Sequence, residues 1–387
     1  MRTYKVIMLG SSGAGKTVFL ASMHKKLSIQ GEEGFFIEVQ DPVRRQVLEN
    51  IYAEVATGDK WPMPTDLSDQ SQSGYEWTFR CCVRIEDRSI HPACQFTYLD
   101  YAGGKLTDAN VAGEDLVSEA ETADAVLGLL DGRKIYSFMD NNADQYRNEL
   151  FLKDIPAITR IMQSCKAPVH FVISKWDLLE GKYTLGQIRD RLLEIPEFKN
   201  LINQLTDNTV RLIPVSSVGA NFATLLPNGK MQKHSGAIPR PFYVEVPLAC
   251  VLPDALLKRV VDLKQQEKEI ADKVVAVKPR FGGFLTVIDE FLANTVVRFL
   301  KNNLPDNYQF SPDVLNWAEQ KIQKAQDQIN QRELEAAQIT QERIMQRDKL
   351  LKEVKNEETA LNYLMNQFLT ITSSLDTDFP ASKLSKL

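Results

Sequence analysis

The chain has 387 residues, 43% of them hydrophobic, and a net charge of −5 at pH 7. That is apolar material for a substantial core and more length than one ordinary domain needs. The acidic balance excludes a global basic field drawing the protein to nucleic acid or an anionic membrane, and no apolar run approaches the ~20 residues of a membrane span. Five cysteines (Cys81, Cys82, Cys94, Cys165, Cys250) are odd in number and lack C-x-x-C spacing. Buried free thiols in a reducing, cytoplasmic setting are expected. The four histidines are far apart and show no metal-ligand pattern. The start MRTYKVIML lacks the charge-then-apolar layout of a signal peptide and reads as a first strand.

Tyr4 to Leu9 is a short apolar strand, and Val18 to Leu27 is a helix with one apolar face. Between them Gly10-Ser11-Ser12-Gly13-Ala14-Gly15-Lys16-Thr17 matches the phosphate-loop pattern G-x-x-x-x-G-K-[ST] at every fixed position. A glycine-rich turn entering a helix points successive N–H groups inward and adds the positive dipole end. The phosphate cradle is therefore Gly10, Ser12, Gly13, Ala14, Gly15, Lys16, Thr17 and Val18. Lys16 serves the β- and γ-phosphates, and the Thr17 hydroxyl serves Mg²⁺. A second helix follows over Pro42 to Ala56. Residues 58–72 form a polar loop with prolines at 62 and 64. A strand is expected over Tyr75 to Ile85, and its run Tyr75 to Arg80 alternates apolar and polar residues, as an exposed antiparallel edge strand does. The next strand, Gln95 to Leu99, ends in Asp100, with Gly103 three residues later. An acid at that place can hold Mg²⁺ through a water, and the glycine can offer its N–H to a γ-phosphate.

Further strands at Ala125 to Leu130, Val169 to Ile173 and Val210 to Val215 alternate with helices near Asp144 to Gln163 and within Leu185 to Leu205. Val169 to Ile173 runs into Ser174-Lys175-Trp176-Asp177, and Val210 to Val215 into Ser216-Ser217. Here the chain resembles the GTPase family, whose guanine-reading motif is N-K-x-D or T-K-x-D. One carboxylate accepts guanine's N1–H and its exocyclic amine together, the role implied for Asp177, while the aliphatic stem of Lys175 lies across the ring. Ser174 departs from the preferred asparagine; its hydroxyl replaces part of the bracing. Ser216-Ser217 resembles the family's S-A loop, whose backbone N–H meets the guanine O6.

The resemblance covers residues 1–253 and is to the translation-factor-related branch of P-loop GTPases, with a Ras-like domain as its core. In style it is similar to bacterial double-GTPase-like proteins, although no second phosphate loop occurs. It implies an α/β fold, a mostly parallel sheet with helices on both faces, GTP or GDP with Mg²⁺ at the carboxyl ends of the strands, and GTPase activity. It also implies a switch threonine that binds Mg²⁺ and the γ-phosphate. Thr65 is preferred because Pro62 and Pro64 keep the loop extended, with Thr57 second. The implied catalytic set is Lys16, Thr65 and Gly103, and the metal set Thr17, Thr65 and Asp100. Where Ras-like enzymes place a water-positioning glutamine, this chain has Gly104, so slow or partner-assisted hydrolysis is expected. Competing readings are an ATP-using P-loop ATPase or kinase, which Asp177 argues against, and a coiled-coil scaffold with a structural nucleotide site.

Residues 218–241 read as a Gly/Pro-rich loop, and Val246 to Lys258 as a final domain helix with Pro247 in its first turn. Residues 254–310 read as a helical linker region. From Ser311-Pro312 a long helix is expected to about Ser373, on the order of 90 Å, followed by a tail over 374–387. Leu315, Ala318, Ile322, Ala325 and Ile329 step by three and four as a coiled-coil seam, and Val354, Leu361 and Phe368 resume it after a phase slip. The seam suggests an unknown protein partner or self-association. Ser385-Lys386-Leu387 spells a peroxisomal address in a eukaryotic host, a tripeptide that chance also produces.

Overall fold

In the computed structural model the described residues are 1–62, 75–86, 88–100, 114–140, 145–205, 209–226, 230–255, 351–352 and 354–384. The first strand, β1 (Thr3–Leu9), feeds two cores. Tyr4, Val6 and Met8 join one and Ile7 and Leu9 the other, as the two-residue period of a pleated strand requires. A tight turn leads to α1 (Lys16–Leu27), then β2 (Phe36–Glu38), α2 (Pro42–Thr57), β3 (Tyr75–Arg84) and β4 (Ile90–Asp100). Asp41 starts α2 by accepting from the Val43 and Arg44 N–H groups, with Pro42 at the first helical position. Next come α3 (Glu114–Thr122), β5 (Ala125–Asp131), α4 (Gly132–Met139) and α5 (Gln145–Glu149). A π-helical turn, Leu150–Asp154, joins α5 to α6 (Ile155–Met162). The chain continues through β6 (Val169–Ser174), α7 (Leu185–Leu192), α8 (Pro196–Gln204), β7 (Val210–Pro214) and a hairpin of β8 (Ala223–Leu225) and β9 (Met231–Lys233). Two more helices follow, α9 over residues 246–255 and α10 (Glu357–Asp378).

Seven strands make one mixed sheet in the order β2-β3-β4-β1-β5-β6-β7. The four pairings from β4 through β7 are parallel, and β2–β3 and β3–β4 are antiparallel. The fold is thus α/β with a largely parallel sheet. Succeeding strands lie to both sides of β1, which makes its carboxyl end a topological switch point, the place where open α/β sheets form ligand crevices. All five cysteines are buried and free. No helix of the described residues is long and apolar enough to cross a membrane.

Several sequence expectations need correction. The strand Tyr75–Arg84 is internal, because the short strand Phe36–Glu38 pairs outside it, Ile37 opposite Cys81. Its alternation has another cause. Trp77, Phe79, Cys81 and Val83 all enter one core, while Thr78 and Arg80 face the other side and are only half-buried. Residues 218–241 carry the β8–β9 hairpin as well as loop. The long helix expected to run on to Ser373 is broken before its last part. Asn356 has extended backbone and caps a new helix at Glu357, exchanging hydrogen bonds with Thr359 in a capping box.

The heptad Val354, Leu361, Phe368 is apolar for a different partner than another chain. All three residues are buried in the core that contains Tyr4, Phe35 and Phe96. The Phe368 ring meets Phe35 edge-on at 5.3 Å and lies 6.1 Å from Phe96. The boundary near residue 254 therefore does not separate α10 from the sheet. The seam positions from Leu315 to Ile329 lie outside the described residues.

Candidate functional site

Val6 to Met8 pair with β4 on one side and β5 on the other, and Leu9 with β5, so the chain leaves β1 at Gly10 in a fixed place. Gly13 and Gly15 then take φ of 81° and 88°, a left-handed conformation that strains any residue with a Cβ. The turn closes through Ala14 N–H to Ser11 O at 3.1 Å. Helix α1 starts at Lys16 with neither a capping side chain nor an acidic residue in its first turn, an end suited to an anion. Lys16 is 8% exposed; its Nζ donates to Gly10 O at 2.8 Å and lies 4.0 Å from Asp100 Oδ1. Burial lowers its pKa, against the pull of Asp100 and Asp154. Ser12 is exposed, and Val18 is half-buried against Val55, Val218 and Phe222.

Asp100 closes β4 and is buried. Its Oδ2 accepts from Thr17 Oγ1 at 3.2 Å, while Oδ1 has no hydrogen-bond partner among the described residues. Burial raises the carboxyl pKa, opposed by Lys16 and the Thr17 bond. An orphaned carboxylate oxygen beside a threonine hydroxyl is the hard-oxygen donor set that Mg²⁺ takes, so these residues fit that ion. Thr65 and Gly103 lie outside the described residues. Thr57 ends α2 and donates its hydroxyl back to Ala53 O at 2.8 Å.

Across the sheet, β6 ends at Ser174, whose buried hydroxyl donates to Leu130 O at 3.2 Å and ties β6 to β5. Lys175 has a left-handed φ of 53°, and its Nζ donates to Gly13 O at 2.9 Å and to Asp131 Oδ2 at 2.7 Å. The second loop thus grips the glycine-rich turn directly. Glycine at 132 permits this approach, since a Cβ there would sit 2.2 Å from Ser174 O. Asp177 lies in the 3₁₀ turn Trp176–Leu178 and accepts a hydrogen bond from Ser216 Oγ. Burial raises its pKa, and the Ser216 bond works against that. The Ser216 N–H donates to Phe242 O at 3.0 Å, so the work of Ser216 is done by its side chain, which holds Asp177 and accepts from Gly219 N–H at 2.8 Å. Ser217 is half-buried beside it.

Two residues behind the glycine-rich turn, Lys134 and Asp154, belong to no sequence motif. Asp154 Oδ2 accepts from Ser11 Oγ at 2.8 Å and from Lys134 Nζ at 2.7 Å, and all three residues are buried. Lys134 also lies 3.0 Å from Glu149. Burial alone would lower the Lys134 pKa; the two carboxylates outweigh it and raise it. Asp154 closes the π-helical turn, a local widening that recurs at functional sites. Asp131 belongs to no motif either, although an acid between a buried strand and a helix is a visible cap signal. It accepts from Arg133 N–H at 2.9 Å as well as from Lys175.

No protein-family model matches the chain, and no curated protein matches it.

Proposed function

We propose that the protein binds guanine nucleotide with Mg²⁺ in the manner of P-loop GTPases and hydrolyses GTP slowly. The observation that carries this reading is the convergence of two distant loops: Lys175, two residues before Asp177, donates to Gly13 O of the phosphate loop at 2.9 Å. A ligand spanning both loops would present phosphates to the turn of residues 10–17 and a base to Asp177. An acceptor carboxylate there favours guanine's paired donors over adenine.

In this reading the glycine turn and the α1 N-terminus bind phosphate oxygens through N–H groups, and Lys16 exchanges its bond to Gly10 O for phosphate. That exchange places its desolvated ammonium where charge builds during transfer. Thr17 and Asp100 would hold Mg²⁺, which when bound neutralises phosphate charge. Asp177, held by Ser216, orients the base. Turnover below ~10⁻² s⁻¹ is expected, because Gly104 supplies no side chain to orient water.

Competition of labelled GTP by unlabelled GTP and ATP tests the reading, with Lys16→Ala as the control that loses binding. Charged hydrogen bonds of this kind contribute ~1.5–3 kcal/mol, so its affinity should fall at least about tenfold. Equal displacement by ATP would refute the assignment of the base, and unchanged binding by Lys16→Ala that of the phosphate loop.

A further inference from the structure

We infer that the segment from Asp376 to Leu384 belongs to the base-reading apparatus, with Phe379 as the positioning residue for both loops; this rests on the nucleotide reading above. Trp176 stands between Lys175 and Asp177 and is 3% exposed. Its ring meets that of Phe379 edge-on, with centroids 5.8 Å apart and planes at 88°. Phe379 also contacts Phe242 at 6.3 Å and Tyr243 at 5.7 Å. Phe242 in turn exchanges two backbone hydrogen bonds with Ser216, at 3.0 and 2.8 Å. One aromatic side chain therefore touches the residue next to Asp177 and the residue paired to Ser216, the donor that holds Asp177.

The segment is fastened on both sides of Phe379. Before it, Asp378 accepts from the Tyr243 hydroxyl, and Asp376 accepts from the buried Arg211 at 2.7 Å. After it, Leu384 N–H donates to Val210 O at 2.9 Å, adding a short stretch to the outer edge of β7. Tyr243 has a left-handed φ of 56°, and backbone strain of this kind persists only where surroundings impose it. Here the Asp378 bond and the parallel stack of Tyr243 on Phe242, 4.2 Å between centroids, impose it. Catalytic and binding groups depend on neighbours that lock their rotamers. Phe379 does this for the base side of the site, through its ring contacts with Trp176, Phe242 and Tyr243.

The base and phosphate halves should therefore separate on perturbation. Phe379→Ala should weaken GTP by about tenfold, the scale of one or two lost aromatic contacts, and speed its release. The preference for GTP over ATP should narrow by a similar factor. Binding of inorganic pyrophosphate, a probe of the phosphate turn alone, should stay as in the parent, and Phe379→Tyr should restore GTP affinity. If the alanine variant does not fold, Phe379→Leu is read in the same assays. A parent that prefers GTP and a variant with the same preference and release rate would overturn the inference. So would equal loss of GTP and pyrophosphate, which marks general unfolding. A parent with no preference for GTP would overturn the base reading itself.

Discussion

Replacing Lys134 by methionine removes an ammonium that is 5% exposed and lies 2.7 Å from Asp154 Oδ2. The Asp154 carboxylate, 3% exposed, then keeps the Ser11 hydroxyl as its hydrogen-bond donor among the described residues. Breaking a buried ion pair by removing one partner costs about 3–5 kcal/mol, mostly the penalty of the charge left behind. The second partner, Glu149, retains 26% side-chain exposure and can be solvated again, which places the cost near the lower end. A loss of about 3 kcal/mol corresponds to a Tm lower by roughly 4 °C, at an unfolding entropy of about 2.1 cal/mol/K per residue. Lys134→Met/Asp154→Asn removes both charges while keeping an oxygen acceptor for Ser11, and should recover at least half of that loss. The two single variants, Lys134→Met and Asp154→Asn, read the site. Lys134→Met leaves an uncompensated anion behind the phosphate turn and should weaken nucleotide binding more than Asp154→Asn does. Urea unfolding and nucleotide titration of the parent, both single variants and the double variant form the cycle. A double variant as unstable as Lys134→Met, or a single variant as stable as the parent, would refute the argument that Lys134 compensates a buried charge.

Three other outcomes are expected. Asp177→Asn replaces an acceptor pair by one acceptor and one donor and should shift preference from GTP toward XTP, as competition binding would show; an unchanged preference moves base reading elsewhere. His170 is fully buried, and its pKa is depressed to about 4 chiefly by burial, against the attraction of Asp254. The unfolded chain therefore takes up the extra proton first; stability is complete above pH 6.5 and is lost as pH falls toward 4, by up to about 3 kcal/mol. His170→Gln should flatten that part of the urea-stability profile, and identical profiles would refute it. Deleting residues 351–387 strips Leu361, Leu364 and Phe368 from the main core, so circular dichroism should show loss of the native transition; a soluble, cooperatively folding product would show that α10 is dispensable.

The sequence determined what is written in neighbouring residues. Short-range chemistry makes such features legible: glycines at 13 and 15 permit left-handed backbone, Pro42 behind Asp41 starts a helix, and apolar runs fill β1, β5 and β6. It also located Lys16, Thr17 and Asp100 together, because parallel strands carry their carboxyl ends to one rim. What it left open depends on pairings that local spacing does not encode. Alternation in Tyr75–Arg84 records that one face is covered, and only the sheet reveals that Phe36–Glu38 pairs outside it. The heptad of Val354, Leu361 and Phe368 records an apolar stripe without naming what covers it, and the tertiary structure assigns it to the chain's own sheet. Lys134, Asp154 and Ser11 meet because the glycine-rich turn after β1, a helix and a π-helical turn converge, and Phe379 reaches Trp176 from the far end of α10. Each such contact joins residues whose separation in sequence carries no period, so packing alone decided it.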